Sequence, residues 1–83
     1  MIVELHPHAR DRLAERGATE AEVEATVQTG EFFPAKHGRA GFRRNFPFDG
    51  WWRGRHYPTK QIEAYAVEEE GRWLVITVIV RFF

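Results

Sequence analysis

The chain has 83 residues, of which 43% are hydrophobic and 14% aromatic, a composition typical of one small globular domain and too apolar for a disordered segment. It contains no cysteine, which excludes disulfides, thiolate metal sites and cysteine nucleophiles. Twelve basic residues balance twelve acidic ones, and this neutrality argues against a general nucleic-acid coat protein. The sequence therefore predicts a single domain over residues 1–83.

No segment predicts a membrane span or a signal peptide. The longest apolar stretch, residues 73–80, is interrupted by Thr77 and is far shorter than the roughly 20 residues that cross a bilayer. The first residues, Met1 to Pro7, have neither a basic start nor a long apolar core. We therefore expect a cytoplasmic protein without a membrane partner.

The first third of the chain predicts one strand and two helices. Apolar residues within Met1–Leu5 indicate a short strand, and a proline at the first helical position predicts a helix over Pro7–Arg16. Thr19 and Glu22 have the spacing of a capping box, which starts a second helix that ends at Gly30.

The middle of the chain predicts strands and loops rather than helices. Residues 42–46 alternate between apolar and polar side chains, the pattern of a half-buried strand, and Pro47 ends that strand. Asp49-Gly50 has the composition of a tight turn. Residues 51–59 are expected to be irregular.

The last two predicted strands, residues 61–67 and 73–83, form a hairpin. Its register is expected to place the small apolar residues of the first strand on the helix-covered face, through a three-residue loop at residues 69–71. Tyr65 then lies opposite Val75. The other, open face of the sheet is expected to carry Glu63, Tyr65, Thr77 and Arg81.

Charge is distributed unevenly along these elements. Residues 1–35 have a net charge of −4, residues 36–60 a net charge of +6, and residues 61–83 a net charge of −2. A basic segment of this kind suggests that one surface meets an anionic partner. The alternative is a solvated basic loop that faces the acidic helices of the same molecule, and both interpretations stay open.

The order of the elements predicts a two-layer α+β fold. In it, a short N-terminal strand and two helices precede an antiparallel sheet of three to four strands. Residues 8–23 contain His-Ala, a later arginine and Arg-Gly ahead of a capped helix, and this segment resembles the opening of the bacterial domain-of-unknown-function family 4258. Residues 60–64, the acidic turn with Gly71 and residues 73–80 resemble the final hairpin of that family.

That family is similar to the RelE/ParE-like toxin superfamily in the order of its elements. The resemblance therefore implies a RelE/ParE-toxin-like fold for this chain. Many of those toxins cleave mRNA and others act on gyrase. The resemblance thus also implies RNA as a substrate and an antitoxin protein as a partner.

The first functional hypothesis is a metal-independent ribonuclease of a toxin–antitoxin pair. RNA cleavage through the 2′-hydroxyl needs a base, an acid and cations for the phosphate. Candidate catalytic residues are His8, Arg12, Lys60, Tyr65 and Arg81. His8, Arg12 and Arg16 have helical spacing, and Lys60 and Arg81 are expected to neutralise charge on the open face. The structural alternative is that the helical cations pair with nearby carboxylates of the two helices.

The second hypothesis is a non-catalytic RNA- or protein-binding module. Residues 51–57 interleave aromatic rings with cations, a composition suited to stacking bases and holding phosphates. Candidate nucleic-acid-binding residues are Arg43, Arg44, Arg53, Arg55 and His56. The structural alternative is that Trp51 or Trp52 packs against the sheet. No histidine or carboxylate spacing predicts a metal site, and no glycine pattern predicts a cofactor.

The third hypothesis is a structural homodimer. Val75, Ile79 and Phe83 are expected to form an apolar second face of the last strand, and such a face needs a cover. A second copy of the chain or an antitoxin segment could supply that cover. The alternative is that residues 31–59 fold back over it.

Overall fold

Capping residues define the helical part of the chain. The computed structural model describes residues 1–83, and its first elements are strand β1 (Ile2–Leu5) and helices α1 (Pro7–Asp11), α2 (Leu13–Arg16) and α3 (Glu20–Thr29). The predicted capping box is confirmed, because Thr19 and Glu22 exchange side-chain-to-backbone hydrogen bonds at the start of α3. None of the helices is long and apolar enough to cross a membrane.

The helix predicted over residues 7–16 is divided at Arg12. The Arg12 backbone N–H donates to the carbonyl of Ala9, three residues back, which is the tighter spacing of a 3-10 turn. Ala9 and Leu13 lie on the two sides of this break and are both buried. The apolar side of the predicted helix therefore survives, although the helix itself does not run through. Gly17 ends α2 in the left-handed conformation.

A single sheet contains all the strands. The remaining elements are β2 (Glu31–Pro34), a short 3-10 turn (Lys36–Gly38), β3 (Ala40–Trp52), β4 (Arg55–Glu69) and β5 (Arg72–Phe82). The strand order is β1-β5-β4-β3-β2, in which β1 runs parallel to β5 and every other pair is antiparallel. The prediction of an antiparallel sheet of three to four strands is therefore wrong. The sheet is mixed and five-stranded because β1 joins it, although the class remains α+β.

Strands β3 and β4 are longer than predicted because their turn lies at Arg53-Gly54 and not at Asp49-Gly50. Arg53 and Gly54 both have positive φ, at 50° and 81°, as the favoured two-residue hairpin turns require. Asp49-Gly50 forms part of an irregularity that shifts the register after Pro47. Strand β2 pairs with β3 only as far as Arg43, so Pro47 lies where β3 has a free outer edge and a proline is tolerated.

The final hairpin has a different register from the predicted one. Its turn is the two-residue Glu70-Gly71, and a bulge leaves Ile76 unpaired. Tyr65 therefore pairs with Thr77, and the predicted pairing of Tyr65 with Val75 is wrong. Beyond the bulge, the pairing of β4 with β5 differs from the predicted register by two residues. A shift of two residues leaves each side chain on the same face of the sheet as in the prediction. The side chains of Glu63, Tyr65, Thr77 and Arg81 consequently share the open face, as the sequence predicts.

The core lies between the helices and the opposite face of the sheet. Ile62, Ala64 and Ala66 of β4 point toward the helices and are completely buried. Side chains alternate along a strand, so Glu63 and Tyr65 must point the other way. This alternation gives the open face its polar residues.

The expected apolar second face of β5 does not form. The bulge turns Val75 to the helix side, where it is completely buried, while Ile79 pairs with Glu63 on the open face. Phe83 is exposed at the end of the chain. Residues 31–59 do not fold back over the sheet, because they form strands within it.

Candidate functional site

A buried carboxylate lies at the centre of the open face. Glu63 of β4 has a side chain that is only 5% exposed, and it stands between Arg43 of β3 and Arg81 of β5. Arg43 Nε donates to Glu63 Oε2 at 2.7 Å, and Arg81 Nη1 lies 2.8 Å from Oε1. The hydroxyl of Tyr65 also donates to Oε1, at 3.3 Å. Both oxygens of the carboxylate are therefore occupied by groups of the chain itself.

The charges in this network are fixed at neutral pH. Burial alone would raise the pKa of Glu63, but hydrogen bonds and positive charge from Arg81 and Arg43 bring that pKa below its usual value. The pKa of Tyr65 is raised, first by burial and then by the negative charge of Glu63. A general base works best with a pKa near the operating pH, so neither group is tuned for proton transfer at pH 7. The network instead holds Tyr65 and Arg81 in place.

An aromatic and cationic cleft of about 430 Å³ opens beside the network. Two of its walls are the rings of Phe33 and Tyr65, which meet at 84° with their centroids 5.9 Å apart. Its rim carries Lys36, His37 and Arg39, which the 3-10 turn and the residue after it supply. None of these three side chains forms an ion pair with a carboxylate. The positive charges of Lys36 and Arg39 are available to an anionic ligand.

A glycine makes room for one wall of this cleft. Gly41 pairs with Phe33 on one side and with Tyr65 on the other. A Cβ atom at position 41 would overlap the Phe33 ring, so only glycine lets the ring lie across β3. The guanidinium of Arg43 lies 4.7 Å from the centroid of the same ring. The position of the Phe33 ring thus depends on the absence of a side chain at residue 41.

A second cleft, of about 90 Å³, lies between the first two helices and β5. His8, Arg12 and Arg16 all line it, together with Thr77 and its neighbours on β5. The helical spacing of these three residues predicts that they lie along one side, and they do so despite the break at Arg12. The Nη1 atom of Arg16 donates to the backbone carbonyl of Val78. Thr77 also lines the aromatic cleft, so the two clefts share one residue.

The five predicted catalytic residues occupy three different places. Tyr65 and Arg81 lie on the open face, and His8 and Arg12 line the small cleft. The expectation that Lys60 lies on the open face together with Arg81 is wrong. Side chains alternate along a strand, so Lys60 lies on the helix side together with the other even-numbered residues of β4. The sequence itself predicts this alternation.

Lys60 is instead part of the packing between the sheet and the helices. It is 8% exposed, and its ammonium donates to the carbonyl of Gly17 at 2.8 Å. The same nitrogen lies 3.0 Å from a carboxylate oxygen of Glu22. These contacts give Lys60 a structural role at the end of α2.

The predicted nucleic-acid-binding residues Arg43, Arg44, Arg53, Arg55 and His56 do not form one surface. Arg43 is held by Glu63, and Arg44 donates to the hydroxyl of Thr29 at 2.8 Å on the helix side. The other three lie near the far end of the β3–β4 hairpin. The role of these residues in binding nucleic acid stays a prediction.

The far end of that hairpin is partly structural. Trp52 stacks on Phe82 with ring centroids 5.0 Å apart, so one of the two tryptophans packs against the sheet as the structural alternative predicts. Trp51 stays 71% exposed. Arg53 donates to the carbonyl of Glu15 at 3.0 Å. His56 lies 2.8 Å from Asp49, and the guanidinium of Arg55 lies 5.9 Å from the ring centroid of Tyr57.

Comparisons with known proteins identify no relative from which a function could be inferred. No protein-family model, no curated protein and no solved structure matches the chain. The resemblance to the domain-of-unknown-function family 4258 and to the RelE/ParE-like toxins therefore stays a prediction. No three histidine, aspartate or glutamate side chains lie close enough together to hold a metal ion.

Sequence reasoning missed the residues that form the large cleft. Phe33, Lys36, His37 and Arg39 are absent from the predicted sites, although the last three begin the basic segment of residues 36–60. The glycines at residues 38 and 41 mark a turn at the start of that segment, and the charged residues of a turn lie on the surface. This signal could have separated Lys36, His37 and Arg39 from the basic residues of the strands that follow.

Proposed function

We propose that the protein binds single-stranded RNA on the open face of its sheet. The observation that carries the proposal is the cleft in which Phe33 and Tyr65 meet the unpaired cations Lys36 and Arg39, with His37 between them in sequence. An aromatic ring offers a face on which a base can stack, and cations neutralise the phosphates beside it. Bases in a duplex hide their faces, so this arrangement suits an unpaired strand.

The size and rigidity of the cleft support the same proposal. A volume of about 430 Å³ lies in the range of pockets that enclose a small ligand, and it gives room for one nucleotide. The Glu63 network fixes Tyr65 from behind through a hydrogen bond of 3.3 Å. A wall that is already in place loses little conformational entropy when a base stacks on it.

Removal of the rim cations tests the proposal. We expect Lys36→Gln with Arg39→Gln to weaken binding of a fluorescent 12-nucleotide RNA roughly tenfold at low salt, because phosphate contacts dominate such affinities. The slope of log affinity against log salt should fall by about 0.7 for each phosphate contact that is lost. Fluorescence anisotropy at several salt concentrations measures both quantities.

The matched controls are two arginines whose charge is already paired. Arg10 lies 2.9 Å from Glu20, and Arg72 lies 3.1 Å from Glu4. Arg10→Gln and Arg72→Gln lower the net charge by the same amount as the double variant when combined. If this pair weakens binding as much as the loss of Lys36 and Arg39, the cleft is not the RNA site. A DNA strand of the same sequence shows whether the sugar matters.

RNA cleavage is a second candidate function, and one observation favours it. Thr77 lines both clefts, so a strand across Thr77 lies between Tyr65 and His8. In such a reaction a base takes the proton of the 2′-hydroxyl, the 2′-oxygen attacks the phosphorus, and the 5′-oxygen leaves with a proton from an acid. The products are a 2′,3′-cyclic phosphate and a 5′-hydroxyl.

A cleavage assay separates the two candidates. If the protein is a ribonuclease, we expect end-labelled RNA to be cut in the presence of EDTA, and His8→Ala to slow the cut by 10²-fold or more, as for loss of a general acid or base. Tyr65→Phe keeps the ring and removes only the hydroxyl. Intact RNA that stays bound to the unmodified protein would identify binding without catalysis.

A further inference from the structure

We propose that the small cleft between the first two helices and β5 is a binding site for one phosphate group. It is lined by His8, Arg12 and Arg16 in a volume of about 90 Å³. None of the three forms an ion pair with a carboxylate. The structural alternative from the sequence, in which nearby carboxylates neutralise them, is therefore not what the structure shows.

The contrast with Arg10 on the same helix makes this lack of partners informative. Arg10 does not line the small cleft and lies 2.9 Å from Glu20 of α3. The chain thus places a carboxylate against Arg10 and none against the three side chains that line the cleft. The positive charges of Arg12 and Arg16 repel each other in a small cleft, and an anion between them removes that cost.

One of the three side chains, that of Arg16, is already oriented. Strand β1 pairs with β5 only as far as Val75, so the edge of β5 beyond that point is free. The carbonyl of Val78 on this edge accepts a hydrogen bond from Arg16 Nη1. A guanidinium has five N–H donors in a fixed plane, so the others stay available to an oxyanion.

The size of the cleft selects a phosphate rather than a whole nucleotide. The small cleft has about 90 Å³, roughly a fifth of the volume of the aromatic cleft, which suits a single tetrahedral oxyanion and not a nucleotide. The aromatic cleft, at about 430 Å³, has room for a base and its sugar. The two clefts therefore suit different parts of one ligand.

Thr77 connects these parts, because it lines both clefts and pairs with Tyr65. A strand whose base lies in the aromatic cleft can place a neighbouring backbone phosphate among His8, Arg12 and Arg16. The assignment of this phosphate to an RNA strand rests on the proposed function, whereas the phosphate site itself does not. A free phosphate monoester has the same chemistry and could fill the same site.

Titration with inorganic phosphate tests the site directly. We expect phosphate, added at constant ionic strength against chloride, to shift the NMR signals of the Arg12 and Arg16 guanidinium groups and of the His8 ring. Arg12→Gln should abolish these shifts, and Arg10→Gln should leave them. In the RNA assay, Arg12→Gln should weaken binding roughly tenfold, the loss of one charge-assisted contact, and reduce the salt slope by about 0.7.

The outcomes distinguish the site from its use. Phosphate shifts together with weaker RNA binding in Arg12→Gln support the whole proposal. Phosphate shifts with unchanged RNA binding support a site for a free phosphate and overturn its place on the RNA path. Phosphate shifts in a protein that binds no RNA at all leave this site standing while the proposed function fails. Equal behaviour of Arg12→Gln and Arg10→Gln in both assays overturns the proposal.

Discussion

Arg43→Gln combined with Arg81→Gln is expected to destabilise the protein by clearly more than the two single changes together. Each single change leaves Glu63 one cation, and both arginines are more than a third exposed, so solvent limits each loss. The double change leaves a carboxylate that is 5% exposed without a positive partner. A buried charge stripped of its partner costs about 3–5 kcal/mol, less what the new amides return as hydrogen bonds. Urea denaturation of the four proteins measures the difference.

The pH dependence gives the same test an independent sign. The pKa of Glu63 lies below its usual value of 4.5, so the unfolded chain takes up the proton first. The stability that Glu63 contributes is therefore complete above about pH 4.5 and is lost as the pH falls through the folded-state pKa. In the double variant, burial acts alone and should raise the pKa of Glu63. The difference in the free energy of unfolding between the unmodified protein and the double variant should consequently become smaller as the pH is lowered.

Glu63→Gln is the matched control, because the amide keeps the shape of the side chain but does not ionise. In this background the two arginine changes should lose their non-additivity and their pH dependence. If the losses from Arg43→Gln and Arg81→Gln simply add at pH 7, the carboxylate is not the element that couples the three strands.

Local signals explain what the sequence predicted well. The capping box of Thr19 and Glu22 needs only four consecutive residues, and α3 begins where that box predicts. The alternation along β4 likewise needs no information from other strands. It predicts that Glu63 and Tyr65 share one face, and it should have placed Lys60 on the other.

Non-local pairing explains what the sequence did not reveal. The turn at Arg53-Gly54 has a weaker local signal than Asp49-Gly50, and the long pairing of β3 with β4 decides between them. The bulge at Ile76 is equally invisible until β5 is paired on both sides. The contact between Arg43 and Glu63 depends on that long register, because 20 residues separate them.

Gly41→Ala is expected to weaken RNA binding roughly tenfold to a hundredfold, which is the value of one base stacked on an aromatic ring. The new methyl group would lie 2.8 Å from Cδ2 of Phe33 and closer still to two further ring atoms, so the ring must leave its place beside Tyr65. Residue 41 is not among the glycines with positive φ, and alanine therefore adds no backbone strain there. Fluorescence anisotropy with the 12-nucleotide RNA measures the loss, and overpacking should cost about 1–3 kcal/mol of stability.

A double-mutant cycle shows whether the effect passes through Phe33. Phe33→Ala removes the ring and opens the space that the new methyl group needs, so Gly41→Ala should have little further effect on RNA affinity in that background. Gly50→Ala is the matched control on the same strand, since beyond the adjacent residues the nearest atoms to a Cβ there are ring atoms of Phe48 at 3.3 Å, a much smaller overlap than at residue 41. Gly41→Ala with unchanged RNA affinity, or with the same loss in the absence of Phe33, would mean that bases do not stack on this ring. The aromatic cleft keeps its shape because residue 41 has no Cβ, and adding a methyl group there tests whether that shape is needed for RNA binding.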